Sequence, residues 1–461
     1  MLKRYFFLCA ALCTACALGP DYERPTVHVP LHFKETSPNW KMATPKDKAK
    51  PRKWWGKFQD TKLNALESQL IVSNQNIANA EANYRQAMAL VDKARAAYFP
   101  TLGFDADVLR SKLSSTTNTT NPTLTTQSMS LAASWEPDVW GLVRRTVESN
   151  QANAEASAAL LAATQLSATA TLAQTYFELQ NLDSDQALLD ATIKSNQRIL
   201  EITKNQYASG VAARADVVQA EANLKTTEAA AINNHIARAQ YEHAIAVLVG
   251  KAPADFSLAS HPLQTKIPSL EISLPSTLLE RRPDVAQAER LMAAANANIG
   301  VAQAAYFPNF TLSASAGYSG INLSHWVNEP ALNWALGPAL AQTIFDAGAR
   351  SATVEAAWAA YDASVANYRQ TVLAAFQDVE DNLVSLRVLT EEATQLEAAA
   401  SKQAVALRLV LNQYHAGTVP FSSVSTAQIT HYTAQKNAID VRGLQIVAMI
   451  GLMKSLGGDW E

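Results

Sequence analysis

The stretch "ARAAYFPTL" at residues 94–102 is written again as "AQAAYFPNF" at residues 302–310, 208 positions later. Other landmarks keep that period. "NQYASG" (205–210) returns as "NQYHAG" (412–417), offset 207, and "LVGK" (248–251) faces "LGGD" (456–459), offset 208. Between Gly141 and Gly210 lie 68 residues without Gly or Pro, and between Gly348 and Gly417 lie another 68. Agreement on one period, far longer than a solenoid repeat, identifies an internal duplication.

The Gly/Pro-free tracts are dominated by Ala, Leu, Gln and Glu, all strong helix formers, and each predicts a helix about 100 Å long at 1.5 Å per residue. Leu182, Leu189, Ile193, Leu200 and Tyr207 fall at sevens and fours, as do Leu389, Leu396, Ala400, Leu407 and Tyr414 one period on. That is heptad spacing, with Ala elsewhere permitting close approach. A return helix follows each Gly, over Val211–Val249 and roughly Phe421–Leu456. A third helix precedes each YFP, near Thr61–Phe99 and Pro283–Phe307. "RRPD" (281–284) reads as a helix start, with Pro283 in the first turn and Asp284 near the positive end.

After Pro100 the helical period stops. In "TLGFDADVLR" Leu102, Phe104, Ala106 and Val108 alternate with Asp105 and Asp107, and "TQSMSLAASW" sets Met129, Leu131, Ala133 and Trp135 against Ser128, Ser130 and Ser134. The second copy repeats this in "FTLSASAGYS" (310–319) and "LNWALGPALA" (332–341). Each segment is about ten residues, the length of a tilted transmembrane strand, and Tyr98, Phe99, Trp135, Tyr318 and Trp326 sit near segment ends as interface aromatics do. A half-buried sheet in a soluble domain is the alternative for any one segment. Four matched segments beside such long helices favour the membrane. An open edge in lipid leaves backbone groups unpaired, and the smallest membrane barrels need about eight strands. Four strands therefore require partners, and three copies supply twelve.

Net charge of −3 carries no nucleic-acid footprint, and no basic cluster suggests an anionic-lipid patch. The three cysteines (Cys9, Cys13, Cys16) all lie in the first sixteen residues, so the body forms no internal disulfide. "MLKRYFFLCAALCTAC" has the basic start, apolar run and small residues of a secretory signal peptide, too short to span a bilayer. "CTAC" is similar to a bacterial lipobox, with Cys13 where Leu is usual, so cleavage before Cys16 and a lipid on it are expected; ordinary signal cleavage nearby is the alternative. Ala17, rather than Asp, follows Cys16 and favours the outer membrane. No phosphate-binding Gly loop, His-x-x-x-His pair or nucleophile elbow appears, so no enzyme is expected. His235 and His243, eight apart, lack a third ligand, and no metal site is expected.

"CALGPDYERP" (16–25), "KWWGKFQDTKLNALESQLIVSNQNIANAEANYRQA" (53–87) and "LPSTLLERRPDVAQAERLMAAANANIGVAQAAYFPNF" (274–310) resemble the outer-membrane efflux factors of the TolC type, in their NodT-like, OprM-like lipoprotein branch. The resemblance runs from Cys16 to "LGGDW" (456–460). It implies a mainly α fold with membrane β: long α-helical hairpins forming an α-barrel, four transmembrane strands per protomer and a twelve-stranded barrel shared by a homotrimer. It implies a passive efflux duct for drugs, other small toxic molecules or metal ions. The expected partners are a periplasmic adaptor and an inner-membrane pump of the resistance-nodulation-division type, together with outer-membrane lipid. Each long helix would pack beside two shorter ones stacked end to end, 61–99 with 211–249. A duct for type I protein secretion and a structural coiled-coil envelope protein are the alternatives.

The expected organisation is a signal peptide at 1–15, a lipidated extended arm at 16–60 and a first repeat at 61–250 with strands near 101–110 and 126–135. An equatorial linker at 251–282 and a second repeat at 283–461, with strands near 309–319 and 332–341, follow. No cofactor is expected beyond the lipid on Cys16. By the resemblance, Tyr207, Gly210, Val211, Tyr414, Gly417 and Thr418 form tips that contact the adaptor, the glycines supplying the left-handed residue that ends a helix. Many family members carry Asp where Thr426 stands and Leu where Ser425 stands, so an acidic constriction becomes a neutral ring of hydroxyls here. Arg214 and Asp216 form either a tip network or solvated charges at a helix start.

Overall fold

The structure is a computed structural model describing residues 18–27, 29–30, 33–35, 53–112, 123–268, 281–321, 327 and 331–458. The signal peptide, Cys16 and Trp326 lie outside the described residues. In chain order the elements are α1 (Thr61–Ser73), α2 (Gln75–Ala96), β1 (Thr101–Lys112), β2 (Thr123–Trp135), α3 (Leu142–Ala208) and α4 (Arg214–Leu248). Then come α5 (Pro283–Ala304), β3 (Asn309–Gly320), β4 (Leu332–Ala341), α6 (Ala349–His415) and α7 (Phe421–Ser455). The duplication is metric: α2 and α5 both have 22 residues, α3 and α6 both 67, α4 and α7 both 35.

Contacts divide the chain into two compact units. The first holds the chain up to Thr26, Ala82–Ala158 and Gln287–Arg369; the second holds Val27–Glu81, Ala159–Ala286 and Gln370–Glu461.

In the first unit the strands form one antiparallel sheet in the order β1-β2-β3-β4. The repeated YFP marks where helix becomes strand, and both copies close that turn alike. The carbonyl of Tyr98 accepts a hydrogen bond from Trp135 Nε1 at 3.0 Å, and that of Tyr306 accepts one from Gln342 Nε2 at 3.0 Å. Each donor satisfies a carbonyl that the ending helix leaves without a partner. Trp140 stacks on Phe307 at 4.9 Å and donates to the Pro308 carbonyl at 2.8 Å. The N-terminal arm docks beside this junction. Buried Arg145 donates to the carbonyls of Leu18 (2.9 Å) and Gly19 (3.3 Å) and pairs with Asp21 and Glu148. Gly19, at φ +95°, lies so close to Gly300 that a Cβ on it would stand 2.6 Å from Gly300 Cα.

The second unit corrects the expected single helix over Thr61–Phe99. Asn74 takes an extended ψ of 124° and divides α1 from α2. Its Oδ1 accepts from the N–H groups of Asn76 (3.0 Å) and Ile77 (3.2 Å), and its Nδ2 donates to the carbonyl of Leu248 at 2.8 Å. The end of α4 thus meets the start of α2, and a Cβ on Gly250 (φ +69°) would collide with the Ser73 carbonyl. So α2, not the whole of 61–99, continues the line of α4. The second copy builds the same joint with other residues. Arg282, one period after Asn74, donates to the carbonyl of Ser455, one period after Leu248, at 3.0 Å. Gly457 (φ +91°) crowds the Arg281 carbonyl as Gly250 crowds Ser73. "RRPD" therefore starts α5 and also fastens α7 to it, a role its helix-start pattern does not announce.

Trp54, Trp55 and Phe58 pack with Leu63 and Leu70 of α1, Phe177 of α3 and Ile450 of α7 in the main core. The described part of the expected linker, 251–268, is strapped onto α3 and α4. Asp183 accepts from the backbone N–H of His261 (2.7 Å), Glu242 from that of Leu258 (2.7 Å), and Arg238 bonds both carboxylates and the Leu258 carbonyl.

Candidate functional site

Two surfaces carry the chemistry: the faces of the sheet in the first unit and the helix ends in the second. Residues directly opposed in an antiparallel ladder point to the same face. The register aligns Leu102–Ala133–Ala314–Leu336, Phe104–Leu131–Ala316–Trp334 and Ala106–Met129–Tyr318–Leu332 across all four strands. Between them run Thr101–Ser134–Ser313–Gly337, Gly103–Ala132–Ser315–Ala335 and Asp105–Ser130–Gly317–Asn333. In these rows one face is small or polar and the other apolar, the apolar face turning polar from Val108 on, where Gln127, Arg110 and Thr125 fall. Large apolar side chains lie open on it, with Trp334 75% and Leu336 77% exposed in the single chain. Strands of 12, 13, 12 and 10 residues have bilayer-crossing length when tilted. Among the described residues β1 pairs only with β2 and β4 only with β3, so each keeps one unpaired edge.

At the helix ends, Gly210 (φ +77°) and Gly417 (φ +71°) take the left-handed conformation that terminates α3 and α6. Val211 N–H donates to the Gln206 carbonyl at 2.8 Å and Thr418 N–H to that of Gln413 at 3.0 Å. The two turns differ in their tyrosines. Tyr207 is 48% exposed, whereas Tyr414 is buried against Ile199, Phe421 and Val424, its hydroxyl 3.2 Å from Thr203 Oγ1. Val211, Gly417 and Thr418 are exposed.

The four candidate constriction residues are not brought together. Asp216 turns back to accept from the N–H of Ala213 at 3.2 Å, capping its own helix, and among the described residues Arg214 makes no ion pair. Their arrangement is that of helix-start charges rather than a network. Ser425 is buried and accepts from Asn223 Nδ2 at 2.7 Å; Thr426 is exposed and donates to the Ser422 carbonyl at 3.0 Å. Of the two hydroxyl residues, only Thr426 is exposed in the single chain.

Sequence reasoning passed over the polar ladder behind Ser425. Gln428 of α7 donates to Asn196 of α3 at 2.7 Å, and Asn196 donates to Thr227 of α4 at 3.0 Å. With Asn223–Ser425 and Thr203–Tyr414 it ties α6 and α7 to the α3–α4 hairpin through neutral groups, and further along α7 Lys436 adds an ion pair to Asp185 of α3 at 3.8 Å. Amide side chains recurring on inward heptad positions were the available signal.

The sequence profile described as "Outer membrane efflux protein" matches residues 66–251 and 274–458, one match per copy. The chain belongs to the outer membrane efflux protein family. As a member it is an outer-membrane channel protein and not an enzyme, and the mainly α fold with membrane β stands as the resemblance implied. The chain is 30% identical to the pyoverdine export outer membrane protein OpmQ of Pseudomonas aeruginosa over 421 residues, covering 89% of this chain and 88% of the relative. To the cation efflux system protein CusC of Escherichia coli it is 27% identical over 460 residues, 98% of each. Its structure superposes on the outer-membrane channel OprN with a TM-score of 0.87 at 28% identity, covering 96% of this chain and all of the other.

Proposed function

We propose that three copies of this chain close a twelve-stranded barrel in the outer membrane and act as the passive exit duct of a tripartite efflux pump. The observation that carries this reading is the open sheet, apolar on one face and polar on the other, with a free edge at β1 and at β4. Free edges in hydrocarbon cost several kcal/mol per unpaired group, and joining β4 of one copy to β1 of the next removes them. Turning the apolar rows to lipid leaves Asp105, Ser130 and Asn333 lining the lumen.

The exposed tips at Tyr207–Val211 and Gly417–Thr418 meet a periplasmic adaptor, and the adaptor's pump supplies energy and selects cargo. Relatives named for pyoverdine and for cations favour small molecules and metal ions over protein cargo. Leu18, two residues after Cys16, is held at the sheet–helix junction by Arg145 and by a 3.4 Å hydrogen bond to the Trp140 carbonyl. A lipid on Cys16 then anchors the chain beside the barrel rim. At the far end, opening slides α6–α7 away from α3–α4, breaking the neutral ladder.

The test is extraction from outer membranes in mild detergent, followed by native mass measurement and identification of the N-terminal residue. A lipid-bearing trimer is expected. A monomer whose sheet is sealed against its own chain would remove the duct.

A further inference from the structure

The duplication fixes a joint that the single chain leaves open. Adding 208 carries β1 onto β3 and adding 207 carries β2 onto β4, since the pair Thr101–Ser134 becomes the pair Asn309–Ala341. The two hairpins are therefore built in one register. Within the chain β2 and β3 join them, with Ala133 opposite Ala314, Ser130 opposite Gly317 and Gln127 opposite Gly320. The same joint made from one copy to the next sets β4 in the place of β2 and β1 in the place of β3.

We propose that β4 pairs antiparallel with β1 of the next copy in this inherited register, Leu340 opposite Ala106, Gly337 opposite Leu109 and Trp334 opposite Lys112. The inference rests on the trimer proposed above and adds which residues meet at its seams. The register keeps the faces. Leu340 and Ala106 both belong to the apolar rows, whereas a slip of one residue sets Leu340 against Asp105 or Asp107. It also sets bulk against room. Inside the chain the close approach of β2 and β3 requires a glycine, because a Cβ on Gly317 would collide with the Met129 carbonyl. At the seam the position corresponding to Gly317 is Leu109, exposed in the single chain, and the residue facing it is Gly337, the glycine of β4. Where a Cβ of Gly337 would stand, nothing lies within 4 Å among the described residues. A slip of two residues keeps the faces but parts Leu109 from that space. The foot of the joint agrees. Within the chain it is closed by Trp140 stacked on Phe307. Phe99, the counterpart of Phe307, is exposed, as are Ile344 and Phe345 in the turn between β4 and α6, so two copies have the apolar groups to close the same foot.

The experiment is disulfide trapping in outer membranes carrying the full chain, which has no cysteine beyond Cys16. Leu340→Cys/Ala106→Cys puts two thiols on directly opposed residues, with Cα atoms about 4.5–5.5 Å apart and within reach of a disulfide. Leu340→Cys/Phe104→Cys and Leu340→Cys/Val108→Cys put them on diagonal residues, about 7–8 Å apart and out of reach. Ala133→Cys/Ala314→Cys is the equivalent pair inside one chain, and it should close without joining copies. The single-cysteine variants, which share Cys16, set the background. After copper–phenanthroline oxidation the Ala106 pair should run on non-reducing denaturing gels as covalent multimers, several-fold more abundant than for either displaced pair. Strongest trapping at Phe104 or Val108 overturns the register, while a trimeric native mass in the same sample leaves the duct standing. An intact trimer in which only the intrachain pair closes overturns the register as well, and so does loss of the trimer in the Ala106 pair alone. A monomeric parent removes the duct and the joint together.

Discussion

Glu67 is fully buried on α1, one turn from Leu63 and Leu70, and neither carboxylate oxygen has a hydrogen-bond partner among the described residues. Burial alone pushes its carboxyl up to about 9, so it is held as the neutral acid in neutral surroundings. In the unfolded chain the group ionises near 4.5, as an ordinary glutamate does. Between these values the folded chain holds a proton that the unfolded chain has released, so its stability contribution is whole below the lower value and lost as pH rises through the higher. The penalty at neutral pH is about 3 kcal/mol at 1.36 kcal/mol per pKa unit. Glu67→Leu should raise the thermal midpoint, by more at pH 8 than at pH 5. Equal shifts at both pH values would mean that the acid is charged and paired after all.

The joints between helices test the duplication at the level of elements. Asn74 and Arg282 occupy one position of the repeat and hold the same carbonyl one period apart, but their surroundings differ. Arg282 also pairs with Asp284 (2.7 Å) and Asp378 (3.0 Å), themselves 41% and 54% exposed. Removing a buried guanidinium strands its partners, and their exposure screens part of the loss. Arg282→Ala should cost about 2–3 kcal/mol, whereas Asn74→Ala, which loses neutral bonds only, should cost about 1–2 kcal/mol. Urea titration of the two variants orders them. The ladder at the tips makes a second prediction. Deleting two neutral hydrogen bonds with Asn223→Ala/Gln428→Ala removes about 2 kcal/mol from the tied state, roughly a thirtyfold shift toward opening. Planar-bilayer conductance should rise by a similar factor, and because the deleted bonds are neutral the ratio of variant to parent should be alike at low and high salt. The long helices were legible because glycines punctuate them and their period is local. The break at Asn74 was not: no Gly or Pro marks it, and its extended backbone is held by a carbonyl 174 residues away. Nor could spacing say which of Ser425 and Thr426 is buried, since neighbours on a helix point about 100° apart and packing decides.

For the molecule as a whole, the duplication yields a protein that is complete in its helices and incomplete in its sheet. Each copy contributes one hairpin, and the two pair through β2 and β3, which turns an even distribution of strands into an open ribbon. Closure must then come from other chains, and the faces of the ribbon say which way it curls. A charge added to the apolar face should resist insertion, while one added to the polar face should be tolerated in water. Trp334 and Asn333 make the comparison within one strand, adjacent in sequence and on opposite faces. Trp334→Arg places a guanidinium toward lipid at a cost of about 2–4 kcal/mol per protomer near mid-bilayer, and three protomers share the wall. Asn333→Arg faces the lumen and changes its charge without that cost. In a proteoliposome assembly assay the first variant should yield far less heat-resistant oligomer than the parent. The second should assemble normally and shift ion selectivity toward anions. If both variants assembled alike, the apolar rows would not be facing lipid, and the ribbon would be closing on protein instead.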